Sequence, residues 1–369
     1  MRRGFDAAGE TIEVHRLTSE LKLAGLGLTA LKSNFVQLKH PYKLNFAVTY
    51  RCQSRCQSCS IWKQKPKQEL SLDEIEQFAE KNNHFRWLGL TGGEPFLRSD
   101  LVDVVEAFVQ HSKGLYLVAM PTNSLSSEDI IADRIASIFE LGVPRIIITL
   151  SLDGYRKLND RVRGVNGSFD EVMSMARRLR SMQKTWKGLS FSFGYTISKL
   201  NEGSLEQTYQ AVKKEIGDVT YNDFHINMGQ VSGIYYDNLG ADIQTDRLAL
   251  ADELDSFIRK RHMEFGLAPL IEGVFLKKLV YYMRTGRQPI RSRSLDASLF
   301  LTSDGDVYPS IMWDRKLGNV RDTGYDLEPI WHGKEAQAIR SLIKQGKEPS
   351  SWTACEAYQS ITGYLPSLL

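Results

Sequence analysis

The chain has 369 residues, a formal charge of +3, a hydrophobic fraction of 42% and a charged fraction of 25%. These are proportions of a soluble globular enzyme with room for a barrel and a smaller domain. The small charge argues against a nucleic-acid partner, no apolar run has the length of a membrane span, and four cysteines are too sparse for a secreted disulfide scaffold.

Residues 1–43 read as a separate helical segment. Met1, Arg2 and Arg3 are not followed by the apolar core of a signal peptide, which suits a reducing, cytoplasmic setting. Over 13–38, Leu17, Leu21, Leu23, Leu26, Leu28, Leu31, Val36 and Leu38 alternate with basic residues. The spacing predicts one or two helices, broken near Gly25 and Gly27 and ending before Pro41. Such a segment either packs on the side of the barrel or touches a membrane surface as a basic amphipathic helix.

Residues 44–50 are apolar and β-rich and predict a strand. Cys52, Cys56 and Cys59 follow on the loop that leaves it, spaced C-x3-C-x2-C. Three thiolates are one too few for a closed tetrahedral zinc site. In a [4Fe–4S] cluster they leave one iron open. A zinc site completed elsewhere, for instance by Cys355, and three unreactive cysteines remain as alternatives on spacing alone. Residues 71–82 predict a helix, with Ser71 as N-cap and Glu74 three residues on. A second strand over 87–91 ends in Gly92, Gly93, Glu94 and Pro95, which by themselves read as a turn. Strand, reactive loop, helix, strand and polar loop open a parallel α/β array whose chemistry sits at the strands' C-terminal ends.

At this point the sequence resembles the radical S-adenosylmethionine (radical SAM) superfamily, through the cysteine triplet after the first strand and Thr91 to Pro95 after the second. The resemblance implies an α/β fold, a partial (β/α)6 TIM-like barrel over 44–240. It implies that Cys52, Cys56 and Cys59 ligate one [4Fe–4S] cluster whose open iron binds SAM, and that the Gly92, Gly93 and Glu94 backbone meets the methionyl amino group. Residues 115–120 predict a third strand ending near Asn123, similar to the family's T-N-G motif with Ser124 in place of glycine, and Asn123 joins the implied cofactor contacts. Residues 145–153 form an apolar run, expected to be buried on both faces. Ser151 and Arg163 are similar to the family positions that meet the SAM carboxylate and ribose. Strands over 189–196 and 223–228 complete the barrel, with His225 and Asn227 on one face. Ser58 stands where many members place an aromatic ring against adenine, and Trp62 is the candidate replacement.

Residues 241–369 read as a helical linker and a small α+β extension. Helices are expected over 247–265, 270–285 and 329–343, and a hairpin over 298–311 around Asp304 and Gly305. This tail resembles the SPASM or shorter Twitch extension, whose cysteines hold auxiliary clusters. Here Ser310 and Ser351 stand at cysteine positions and only Cys355 is a thiol. No auxiliary cluster is therefore expected. Cys355 is either a buried small residue or a hydrogen-atom donor to a substrate radical, as in some radical epimerases. The implied activity is reductive cleavage of SAM to a 5′-deoxyadenosyl radical that abstracts hydrogen from a small-molecule, sugar or lipid-linked substrate. The alternatives are a peptide-modifying maturase and, from another class, a non-catalytic zinc protein. A flavodoxin or ferredoxin is the expected electron donor.

Overall fold

A computed structural model describes residues 4–65, 68–364 and 366, with side chains from residue 17 onward. Six strands alternate with helices: β1 (Lys43–Thr49), α2 (Leu72–Lys81) after the N-terminal α1 (Gly4–Lys32), β2 (Trp87–Gly92), α3 (Leu101–His111), β3 (Leu117–Thr122), α4 (Glu128–Glu140), β4 (Arg145–Ser151), α5 (Lys157–Arg163), α6 (Ser168–Thr185), β5 (Leu189–Ile197), α7 (Leu205–Ile216) and β6 (Phe224–Met228). They pair in parallel in the order β6-β5-β4-β3-β2-β1. The sheet does not close on itself, so the fold is a partial barrel, as the sequence predicts.

Side-chain alternation builds its two faces. Leu44, Phe46 and Val48 of β1, Leu88 and Leu90 of β2, and Ile146, Ile148 and Leu150 of β4 are buried outward, against the helices. The other parity faces inward: Asn45 pairs with Gly89, Ala47 with Thr91, Thr149 with Ser192, and Ser151 with Gly194. Contrary to expectation, β4 is not buried on both faces; its burial alternates along its whole length. The inner face of an incomplete barrel opens into a chamber, so Ile147, Thr149 and Ser151 keep some exposure.

Local chemistry fixes the helix ends. At α2, Ser71 Oγ accepts from the Glu74 N–H at 3.2 Å, and Glu74 Oε2 accepts from the Ser71 N–H at 2.9 Å, the reciprocal pair expected from the sequence. By contrast, α1 runs through Gly25 and Gly27 unbroken. Each helical glycine costs about 1 kcal/mol, yet Leu26 and Ala30 pack on Leu38, Tyr42 and Ala297. Gly25 also admits Arg86, whose Nη1 would lie 2.7 Å from a Cβ there. Leu17, Leu21, Leu28 and Leu31 line another side of α1 and are exposed. With apolar residues on two sides, the helix is not the one-sided amphipathic element expected.

Beyond the barrel come α8 (Arg247–Ile258), α9 (Leu267–Thr285), β7 (Ser298–Leu301), β8 (Asp306–Tyr308), β9 (Gly318–Asn319), α10 (Glu328–Trp331), α11 (Lys334–Lys344) and α12 (Ala354–Thr362). The first of these stops short of 265, where Met263 and Phe265 are solvent-exposed and offer no packed face. The helix expected over 329–343 divides at His332 and Gly333, where a Cβ would sit 2.8 Å from the Pro329 carbonyl. The hairpin turns at Gly305 with φ +89°, in the left-handed region that suits glycine. Its first strand pairs in parallel with β1, from Lys43 opposite Ser298 to Phe46 opposite Leu301. One nine-stranded sheet therefore crosses residue 241, where the extension was expected to begin. Among the described residues no helix is long and apolar enough to cross a membrane.

Candidate active site

The cysteine loop leaves the C-terminal end of β1 and contributes little core of its own; Ile61 is its buried apolar residue. Backbone hydrogen bonds hold it. Arg55 and Gln57 N–H groups donate to the Arg163 and Val162 carbonyls at the end of α5, both at 3.0 Å. Ser60 N–H donates to Tyr236 O at 2.8 Å, and Asn238 Nδ2 to Ser58 O at 2.8 Å. The Trp62 indole N–H reaches Cys59 O at 3.0 Å, and its ring lies 5.0 Å from both Arg55 and Lys63. Trp62 is thus engaged by the loop's own carbonyls and cations.

The glycine turn after β2 closes on this loop. Gly93 N–H donates to Thr49 O at 2.8 Å and Glu94 N–H to Arg51 O at 2.9 Å. A Cβ on Gly92 (φ +119°) would stand 2.0 Å from Thr49 O, and one on Gly93 2.2 Å from Arg51 O. Close backbone approach demands glycine at both positions. With the Gly93 and Glu94 N–H groups used, the turn offers a ligand carbonyl oxygens. Tyr235 Oη pairs with Thr91 Oγ1 and donates to Gly92 O at 3.3 Å, bracing the turn from the segment after β6.

Glu94 is fully buried, and its carboxylate joins two strand ends: it accepts from Asn123 N–H at 2.7 Å and Phe96 N–H at 3.2 Å. Burial pushes its carboxyl up to about 7, against the pull of those N–H groups. Asn123 in turn places Nδ2 3.7 Å from Cys52 Sγ and 3.3 Å from Gln53 Oε1. Ser124 holds φ +61°, the conformation for which the family motif has glycine.

Arg163 is a buried ion-paired residue, its Nη1 3.0 Å from Asp153 Oδ2, with side chains 15% and 4% exposed. Asp153 also accepts from Thr196 N–H at 2.9 Å, tying α5 to β5. Burial raises all three loop thiols, Cys59 to about 12, while the Arg163 guanidinium pulls each the other way. A metal that binds them must displace protons. Ser151 ends β4 on the inner face, in register with Gly194 and His225, and makes no side-chain bond to the cysteine loop among those described.

Cys355 comes from the far end of the chain to the same place. It packs with Cys59 and Tyr236 against Ala47, Tyr50, Tyr235, Phe300 and Ile311. Its carbonyl accepts from Lys43 Nζ at 2.7 Å, and burial pushes its thiol up to about 11 despite that ammonium. The sequence reading did not find Tyr235 or Lys43, since a tyrosine in a loop and a lysine at a strand start carry no periodic signal.

The donor set, three soft thiols on one loop, fits a three-cysteine [4Fe–4S] group. Among the described residues no three or more Cys, His, Asp or Glu side chains, the cysteine triplet included, gather closely enough for a single metal ion. In the extension, serines stand at the expected cluster positions. Ser310 Oγ accepts from Met312 N–H at 3.2 Å, and Ser310 and Ser351 line a cavity of ≈ 20 Å³, room for about one water.

The family model for the radical SAM superfamily matches residues 46–212, and that for SPASM, an iron–sulfur cluster-binding domain, matches 293–357. The chain is 24% identical over 345 residues to a pre-heme d1 synthase of Dinoroseobacter shibae, covering 86% of this chain and 79% of that one. It spans under half the length of several other curated relatives. Native anSMEcpe with bound AdoMet superposes with a TM-score of 0.59 at 16% identity, over 89% of this chain and 98% of that one. Streptococcus suis SuiB bound to precursor peptide SuiA gives 0.57 at 18%, over 87% and 71%. At these identities the structural likeness is one of fold.

Proposed function

Because this chain belongs to the radical SAM superfamily, we propose that Cys52, Cys56 and Cys59 hold its single [4Fe–4S] cluster and that the strand ends around them bind SAM. The observation that carries the reading is the three-thiol loop held by backbone bonds from β2, α5 and the segment after β6. When bound, the cluster supplies the electron that splits SAM to methionine and a 5′-deoxyadenosyl radical, which takes hydrogen from a substrate carbon.

The chain's own residues do the positioning. On this reading the carbonyls of the Gly92, Gly93 and Glu94 turn accept from the methionyl ammonium. Arg163, held by Asp153, supplies the positive charge for the carboxylate and favours thiolate at Cys56. Asn123 orients Cys52, and Ser151 offers a hydroxyl at the edge of the inner face. Cys355 is a hydrogen-atom donor on this reading: its raised thiol stays protonated at neutral pH, as a donor must. Exposed Arg51, Arg55 and Lys63 suit an acidic electron donor such as flavodoxin or ferredoxin.

The substrate is a small molecule, sugar or lipid-linked compound. A relative matched over most of both chains is named a pre-heme d1 synthase, which favours this class over a peptide. The exposed leucines of α1 favour a lipid-linked substrate met by a cytoplasmic protein at a membrane surface. Binding to anionic liposomes at low salt tests this, and failure to sediment with them removes it. A peptide maturase is the second reading, favoured by the likeness to peptide-bound SuiB.

Anaerobic reconstitution tests the central claim. We expect a brown iron–sulfur chromophore, and 5′-deoxyadenosine on reduction with SAM. Colourless, zinc-containing protein would sink it.

A further inference from the structure

At the β6 side of the chamber four polar side chains from three elements form a closed network that the SAM site does not use. His225 Nδ1 lies 3.1 Å from Glu272 Oε1 of α9 and 3.1 Å from the Tyr358 hydroxyl of α12. The Tyr358 hydroxyl donates to Glu272 Oε2 at 2.5 Å. Asn227 Nδ2 lies 2.9 Å from His225 Nε2, and its Oδ1 accepts from Ala354 N–H at 3.3 Å. His225 shares a register row with Gly194 and Ser151. At a strand spacing of about 4.8 Å it stands about 10 Å from Ser151, with no side chain on the intervening Gly194.

The hydrogen-bond directions fix the charge of this network. A backbone N–H can only donate, so Ala354 turns the Asn227 oxygen toward itself and the Asn227 NH2 toward the imidazole. His225 Nε2 must then accept, and Nδ1 carries the proton and donates to Glu272. The imidazole is neutral, so it does not cancel the Glu272 carboxylate. The positive charge of Arg261 reaches Glu272, although its guanidinium bonds a backbone carbonyl rather than the carboxylate. Arg261 Nη1 donates to Phe224 O at 2.9 Å; Lys43 Nζ donates to Cys355 O and Gln359 Oε1 and is opposed by Glu356. Water still reaches the pair, with His225 and Glu272 side chains 12% and 17% exposed. Aromatic rings complete the wall: Phe275 stacks on His225 at 5.5 Å, and Tyr358 on Trp87 at 6.3 Å.

A carboxylate with no Lys or Arg ion pair among those described, set among aromatic faces, suits a cation. We propose that the wall formed by Glu272, His225 and Tyr358 recognises a positively charged hydrogen-bond donor on the substrate, of the ammonium class. The proposal rests on the reading of the inner face as the substrate chamber. Glu272 would contact the ammonium directly. His225 and Asn227 are positioning residues that keep the carboxylate charged and aimed.

The test uses the reconstituted full chain with SAM and three probes of one shape: cyclohexylammonium, cyclohexanol and cyclohexanecarboxylate. Binding is read by saturation-transfer NMR. We expect the ammonium to bind at least about tenfold more tightly than the other two, as a charged hydrogen bond implies. Glu272→Gln abolishes that preference, and Tyr358→Phe, which keeps the ring, weakens it. Equal binding of all three, a carboxylate preference, or a preference unchanged in Glu272→Gln overturns the proposal. Dithionite-driven 5′-deoxyadenosine formation is scored in the same samples. Cleavage without ammonium preference defeats this proposal alone; absence of SAM cleavage defeats the SAM reading, while the probe ranking still decides this one.

Discussion

The cysteine loop and the hairpin region of the extension occupy comparable places, both following strands of one sheet, and they are held in opposite ways. The loop has almost no apolar content and hangs on hydrogen bonds to its neighbours' backbones. The extension has its own buried side chains, among them Val307, Val320, Trp331, Ile339 and Trp352. It is further clamped to α2 by Arg321, whose Nε and Nη2 meet the two Glu74 oxygens at 2.6 and 3.0 Å. A domain that packs this well keeps its shape with serine at the cluster positions. A loop without a core cannot replace its thiols so cheaply.

Breaking the loop's side of the comparison gives the largest effect. Alanine at Cys52, Cys56 or Cys59 is expected to lower iron from about four atoms per chain to near zero, measured by iron assay, and to end SAM cleavage. Cys355→Ala is expected to leave iron unchanged. On the other side, Trp331→Ala should cost about 3–5 kcal/mol in chemical denaturation with iron content per folded chain retained.

The clamp between the regions gives a smaller effect. Glu74→Gln is expected to cost about 1.5–3 kcal/mol. The hydrogen bond from Arg321 comes first among the causes that hold the Glu74 carboxyl at about 2, below the usual 4.5. Its stabilisation is therefore present above the usual carboxylate range and is lost as pH falls from about 4.5 toward 2. Wild type should lose more stability than the variant over that window in acid titrations followed by circular dichroism. Smallest of all, Ser124→Gly should raise stability by about 1 kcal/mol, because it relieves a left-handed residue and removes a buried hydroxyl with no partner. A fall in melting temperature would contradict that account.

The parallel strands were legible because each is a short apolar run between turn signals, and α2 because Ser71 and Glu74 announce its start. The cysteine loop stands out in the sequence by the spacing of three residues. What sequence missed depended on distant partners. Gly25 and Gly27 read as breaks until Leu26 and Ala30 find Tyr42 and Ala297. Arg163 read as a ligand contact, and its ion pair with Asp153 at 3.0 Å had no local signal. The inner parity of β4 read as core because an isoleucine lining an open chamber looks like one in a packed interior. No local pattern signals that β7 will lie beside β1, or that α12 will carry Tyr358 to His225.

The pairing of β7 with β1 has a consequence for biogenesis. The strand that feeds the cysteine loop is flanked by β2 on one side and by β7 on the other, Lys43 facing both Trp87 and Ser298. On the ribosome, β1 and β2 emerge early, and β1 presents an open edge until residues 298–301 are made. Such an edge invites pairing with other chains, and contacts this distant in sequence form slowly. A nascent chain stopped before β7 is thus an aggregation-prone species. The floor under the cysteine loop is therefore finished only when the nearly complete polypeptide has been made.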